Sequence, residues 1–149
     1  MLYEFERRLL QLAVAIACLV PLSVGLKCLV GGVETIKGVS GAPVDLDSHF
    51  RYLSGLLLGL GLAFLSCIPR IEARSSLFRM LASIVVIGGL GRLISIAEFG
   101  MPGRGHIFGL AMELAVVPLL ALWQVRIARD SAQQGQDFIS GSGIVALGD

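Results

Sequence analysis

Two ionisable residues, Arg92 and Glu113, interrupt stretches of the sequence that are otherwise apolar. A guanidinium and a carboxylate can pair with each other, and an arginine without such a partner can bind a phosphate or a carboxylate. Arg51, His49 and His106 are the other residues close to these stretches that could bind an anion or carry a proton. The charges therefore allow two interpretations. They form an ion pair that holds two helices together, or they form a site for an anion such as a lipid phosphate.

The composition is that of a membrane protein. Of the 149 residues, 55% are hydrophobic and 15% are charged, and the mean hydropathy is +0.82. A soluble domain is about 45–50% apolar and about 25% charged. The net charge of +1 and the lack of a basic patch with interleaved aromatic residues argue against a nucleic-acid partner. Three cysteines and two histidines in no metal-ligand spacing predict neither a metal nor a cofactor.

Four apolar stretches are long enough to cross a membrane, since a spanning helix needs about 20 mostly apolar residues. The predicted spans are residues 9–30, 50–68, 77–97 and 106–126. The glycine-rich turn between the last two spans is short, so these spans are expected to be antiparallel neighbours. We predict an all-α bundle of four transmembrane helices in antiparallel up-down order, formed by residues 1–129. Residues 130–149 are polar and rich in glycine and serine, which favours a mobile tail.

The first stretch has an alternative interpretation as a cleaved signal peptide, because residues 15–17 read Ala-Ile-Ala. Two features favour a span instead. Glu4 and Glu6 dilute the positive charge of the N-terminal region, and the apolar run continues past the cleavage site.

Lysine and arginine are distributed unevenly over the predicted connections. One side of the membrane would hold seven of them and the other side four, with Arg92 inside the membrane. Because cytoplasmic flanks are enriched in Lys and Arg, both termini are predicted to be cytoplasmic. The seven residues are Arg7, Arg8, Arg70, Arg74, Arg79, Arg126 and Arg129.

The depths of Arg92 and Glu113 in the membrane match. Arg92 lies five residues before the end of the third span, and Glu113 lies seven residues after the start of the fourth. At about 1.5 Å per residue these depths are about 7.5 Å and about 10 Å from the same side. A charge at such a depth usually faces another helix and pairs, so we predict an ion pair between these two residues.

Small residues recur at helical spacing in the same region. Gly55, Gly59 and Ala63 lie at intervals of four in the second span and predict a ridge for close contact with another helix. Further glycines, which leave room for a close backbone or for water beside the two charges, are Gly88, Gly89 and Gly109.

The same half of the predicted bundle also collects a candidate anion or lipid site, formed by Arg51, Arg92, His49 and His106. We favour the structural interpretation of these charges, because no nucleophile, metal set or cofactor motif accompanies them. Glu113 paired with an arginine would be a poor general base, so the sequence does not predict an enzyme.

Three segments, HFRYLSGLLLGLGLAF, GGLGRLISI and MELAVVPLLALW, resemble a family of small bacterial four-helix membrane proteins classed as a domain of unknown function. The resemblance covers residues 9–125 and implies a multi-pass protein of the bacterial inner membrane, with no activity attached. From the residues we predict a non-enzymatic protein that self-associates or is an accessory subunit of a larger membrane complex. The alternative is a small transporter or binder of an amphipathic anion or lipid that uses Arg51 and Arg92. The predicted partners are membrane lipids together with a second copy or a complex.

Overall fold

Helices account for most of the protein. The computed structural model describes residues 2–145, with side chains for residues 3–136. The helices are α1 (Leu2–Gly31), α2 (Val44–Cys67), α3 (Ser75–Phe99), α4 (Arg104–Ala111) and α5 (Val117–Val145). A π-helical turn, Met112–Val116, joins α4 to α5 without a break, and short 3-10 turns occupy Val33–Thr35 and Ile68–Arg70.

Four helical segments are long and apolar enough to cross a membrane. They are Tyr3–Gly31, Val44–Arg70, Ser75–Phe99 and Arg104–Gln136. Large apolar side chains along them are exposed, for example Ile16 at 58%, Leu19 at 61% and Leu122 at 69%. Exposure of so many apolar side chains to water is unfavourable, whereas lipid tails cover them without cost. The predicted all-α class with four membrane-spanning helices is confirmed.

The helices extend beyond the predicted spans because polar flanking residues continue a helix that the apolar segment has already nucleated. The largest difference is at the last helix. Residues 130–145, whose composition favours a mobile tail, continue α5 as a helix to Val145. Residues 146–149 of the predicted tail lie outside the described residues.

The described chain divides into two compact units, one of which is Leu12–Pro69. In this unit α1 and α2 run antiparallel and approach each other closely at two glycines. A Cβ atom on Gly25 would lie 2.8 Å from the backbone nitrogen of Leu58, and one on Gly61 would lie 3.3 Å from Cγ of Pro21. Pro21 lies inside α1, where its ring removes a backbone hydrogen bond. The missing side chain of Gly61 leaves room for that ring.

The other unit consists of the chain up to Gln11 and from Arg70 onward. Here α3 runs antiparallel to the segment formed by α4, the π turn and α5. Its core includes Leu10, Ile71, Phe78 and Ile127, each at most 1% exposed.

Candidate functional site

The position of Arg92 depends on a close approach between α3 and the π turn. Gly89, one turn before Arg92, is buried, and a Cβ atom on it would lie 2.7 Å from Cδ2 of Leu114 and 3.1 Å from Cβ of Glu113. A glycine is therefore needed for the two helices to come this close. The approach brings the arginine and the glutamate within reach of each other.

Arg92 and Glu113 form an ion pair. Nε of Arg92 lies 2.8 Å from Oε2 of Glu113 and donates a hydrogen bond to Oε1 at 3.0 Å. The side chains are 38% and 18% exposed, so the carboxylate is the more deeply covered partner. The structure thus brings together the two residues whose matched depths in the sequence predict an ion pair.

His106 on α4 completes this charged cluster. Its Nδ1 atom lies 3.0 Å from Nη1 of Arg92. A guanidinium can only donate hydrogen bonds, so Nδ1 must be the acceptor. The contact therefore requires the tautomer in which Nε2 is the ring N–H.

The π turn is a feature of the site that the sequence analysis missed. Glu113 belongs to the turn Met112–Val116, whose hydrogen bonds skip one more residue than those of an α-helix. Such turns occur often at functional sites. The turn itself contains neither proline nor glycine, but Pro118, which has no backbone N–H to donate, follows two residues later and is the signal that the sequence analysis passed over.

Arg51 has a structural role within the unit Leu12–Pro69. Its Nε donates to Oδ2 of Asp47 at 2.7 Å, and its Nη1 donates to the carbonyl oxygens of Leu29 and Val30 at 2.8 and 2.6 Å. These carbonyls belong to the last turn of α1, which has no helical partner for them. Oδ1 of Asp47 accepts the backbone N–H of Val33 at 2.8 Å. Arg51 and Asp47 together cap the end of α1.

The tight turn after α1 also requires a glycine. Gly32 has φ +66°, and a Cβ atom there would collide with the side chains of Asp47 and Arg51. Arg51, predicted as part of an anion site, is thus engaged by a carboxylate and two carbonyls. His49 is exposed on α2, and no hydrogen bond or ion pair is found for it among the described residues.

The predicted packing glycines divide into two groups. Gly89 makes the close approach described above, Gly109 lies beside Arg92, and Gly55 is in ordinary contact with Leu29. In contrast, Gly59 and Gly88 are exposed, and a Cβ atom on either meets nothing within 4 Å.

Within the unit Leu12–Pro69, α1 and α2 therefore do not approach each other most closely at the predicted ridge of Gly55, Gly59 and Ala63. They approach most closely at Gly25 and Gly61, where the backbone of Leu58 and the ring of Pro21 occupy the space that a side chain would need. The ridge of Gly55, Gly59 and Ala63 lies to one side of that close approach, with Ala63 half-buried.

Gln124 is a second residue that the sequence analysis missed. It is fully buried in α5, and its Nε2 donates to the carbonyl oxygen of Ile71 at 2.7 Å and to Oγ of Ser75 at 2.6 Å. These bonds attach α5 to the turn that precedes α3. A lone glutamine inside an apolar run is the only signal of such a contact in the sequence.

The four apolar helices and the ion pair within them define a multi-pass membrane protein. The model of the DUF4345 family, described as a domain of unknown function, matches residues 9–124, so the chain belongs to this family. The resemblance to a family of unknown function is confirmed, and the family brings no activity with it. No curated protein and no solved structure matches the chain.

Proposed function

We propose that this protein is a non-catalytic component of the bacterial inner membrane that pairs, through α2, with a second copy of itself. The observation that supports the proposal is the open face of α2. Gly59 lies at the centre of this face, with nothing within 4 Å of where its Cβ would be. Inside a membrane, small residues at such positions allow two helix backbones to approach closely.

The surroundings of Gly59 fit a helix contact. Tyr52, Gly59 and Ser66 recur every seven residues and are exposed, so they lie on one face of α2. Leu56 and Leu62 flank this face and are 50% and 54% exposed. A two-fold axis brings the same patch of both copies together, so a face with a glycine at its centre and apolar flanks can pack against its own copy.

The state of the charges supports a non-catalytic role. Arg92 is paired with Glu113, and Arg51 is occupied by Asp47 and the end of α1. Within the described residues no group of three or more His, Cys, Asp or Glu is arranged to hold a metal ion. These contacts support a structural role for Arg92, Glu113 and Arg51.

The distribution of arginine supports cytoplasmic termini. Arg8, Arg70, Arg79 and Arg129 are exposed, and one of them lies near an end of each of the four helical segments that can cross a membrane. An excess of arginine on one flank is typical of the cytoplasmic side.

The molecular mass of the full chain in a mild detergent tests the proposed self-association. We expect a dimer for the wild type and a monomer for Gly59→Leu, measured by light scattering after size exclusion. Gly88→Leu is the matched control, since Gly88 is an equally open glycine on α3, and it should remain dimeric. A monomeric wild type, or a dimer that survives Gly59→Leu, would overturn the proposal. A fixed stoichiometric partner bound to a monomer would favour an accessory subunit instead.

A further inference from the structure

We propose that a cleft beside Arg92 binds the anionic headgroup of a membrane amphiphile, with its apolar chain lying along α3. The cleft is lined by Arg92, Ser95, Ile96, Pro102 and His106 and has a volume of about 190 Å³. It lies within one compact unit of the chain and on different helices from the α2 face. The proposal is therefore independent of the proposed self-association.

Three hydrogen-bond donors of the cleft residues have no acceptor among the described residues. Arg92 uses Nε for Glu113 and Nη1 for His106, which leaves Nη2. His106 accepts at Nδ1 and therefore carries a proton on Nε2. Ser95 forms no hydrogen bond with any residue that the structure describes, whereas Ser83 in the same helix donates to the carbonyl oxygen of Arg79 at 3.0 Å. A serine inside a helix usually donates to the preceding turn, so the hydroxyl of Ser95 is available to a ligand.

The depth of these donors matches a lipid headgroup. Helix α3 has 25 residues, which gives a length of about 37 Å at about 1.5 Å per residue. The hydrocarbon core is about 30 Å thick, so a centred α3 extends about 4 Å beyond it at each end. Ser95, four residues before the end at Phe99, then lies close to the boundary between the core and the headgroups.

Donors at this depth need an acceptor, because polar groups without a partner are costly in an apolar medium. A phosphate or carboxylate oxygen at the membrane boundary satisfies a guanidinium, an imidazole N–H and a hydroxyl together, and bonds to an ionised acceptor are stronger than neutral ones. Glu113 and His106 also hold the guanidinium of Arg92 in place through two of its nitrogens. Little conformational entropy of this side chain is therefore lost when a headgroup binds.

The apolar part of the ligand has a path along α3. Gly88, Gly91 and Ser95 are separated by three and four residues and therefore share one face of the helix. A Cβ atom on either glycine would meet nothing within 4 Å, so this face of α3 is open and runs from Ser95 at the cleft toward the membrane centre. Phe99 and Met101, which flank the end of α3, are apolar and 84% and 74% exposed. A ligand with an acyl chain fits this arrangement better than a free anion.

Native mass spectrometry of the full chain, released from detergent with added lipid, tests the proposal. The probes are dioleoyl phosphatidylglycerol, dioleoyl phosphatidylcholine and inorganic phosphate. We expect the wild type to bind phosphatidylglycerol at least about tenfold more tightly than phosphatidylcholine, and to bind inorganic phosphate weakly. Equal binding of the two lipids would overturn the proposal. Binding of inorganic phosphate as tight as that of phosphatidylglycerol would show a free-anion site and overturn the part assigned to the acyl chain.

Variants that leave the ion pair intact locate the ligand. Ser95→Ala should weaken phosphatidylglycerol binding about tenfold, which corresponds to the loss of one hydrogen bond to a charged group. Ser83→Ala is the matched control and should bind as the wild type does. Gly88→Leu places a side chain on the open face of α3 and should also weaken binding, whereas Gly59→Leu should not. If Ser95→Ala and Ser83→Ala bind equally well, the headgroup does not lie in this cleft.

Discussion

Nε of Arg92 on α3 lies 2.8 Å from Oε2 of Glu113 in the π turn, and the two residues connect antiparallel helical segments inside the apolar part of the chain. The pair satisfies both charges at a depth where neither is stable alone. It also holds the guanidinium beside the cleft that we assign to an anionic headgroup. The contact therefore supports the fold and orients a binding residue.

Removal of either charge should destabilise the protein. Removal of both should lower the stability by much less than the sum of the two single effects. Arg92→Met or Glu113→Gln leaves one buried charge without its partner, which typically costs about 3–5 kcal/mol. The double variant has no unpaired charge, so the effects should be strongly non-additive. Melting temperatures of the four proteins in one detergent measure this coupling. Additive effects would mean that the two side chains do not interact.

The glycines of α1 and α2 should differ sharply in their tolerance of alanine. Gly25→Ala places a Cβ 2.8 Å from the backbone of Leu58, so the helices must separate and the melting temperature should fall. Gly59→Ala adds a methyl group in open space, where alanine favours a helix by about 1 kcal/mol over glycine. The stability of the monomer, measured at high detergent concentration, should then be unchanged or higher. A Gly25→Ala protein as stable as the wild type would contradict the observed helix contact.

Replacement of Gln124 by an apolar residue should destabilise the protein less than its replacement by a negatively charged residue. Gln124→Met leaves the Ile71 carbonyl and the Ser75 hydroxyl without their donor, which costs about 1–3 kcal/mol. Gln124→Glu is nearly the same size but places a carboxylate against that carbonyl in a fully buried position, so it should be more destabilising above neutral pH. Thermal unfolding at pH 8 compares the two. Equal melting temperatures would show that water reaches the site.

The membrane orientation is tested by reporter fusions in a bacterial host. A reporter fused after Arg129 should be active as a cytoplasmic reporter, and one inserted within residues 39–42 should be active only on the outer side. The reason is the excess of arginine on the flanks near both termini. A reporter after Arg129 that is active only outside the cytoplasm would contradict this orientation.

The sequence is sufficient to predict the four spans, because hydropathy and length largely decide whether a helix crosses a membrane. It also predicts that Arg92 and Glu113 are close, because a short turn between two spans fixes the relative depth of their residues. The ends of the helices are harder to predict from the sequence. Helix α5 continues to Val145 because the apolar segment before it is already helical. The glycine and serine content of the tail does not indicate this continuation.

The missed contacts depend on rotation about the helix axis rather than on depth. The ridge of Gly55, Gly59 and Ala63 has the right spacing for a helix contact. The spacing does not predict which helix packs against this face. The close approach of α1 and α2 is at Gly25 and Gly61, where Leu58 and Pro21 need the space. The capping of α1 by Arg51 likewise requires the turn at Gly32, whose geometry a sequence pattern does not encode.

Disulfide formation in native membranes tests the proposed self-association most directly. In a chain whose three free cysteines are replaced by alanine, Gly59→Cys places a thiol at the proposed two-fold axis. A disulfide needs Cα atoms about 4.4–6.8 Å apart, a distance that only a close helix contact provides. We predict that an oxidant converts Gly59→Cys to a covalent dimer that a reductant reverses, while Gly88→Cys stays monomeric. A Gly59→Cys protein that remains monomeric, or a Gly88→Cys protein that forms the dimer equally well, would contradict pairing through α2.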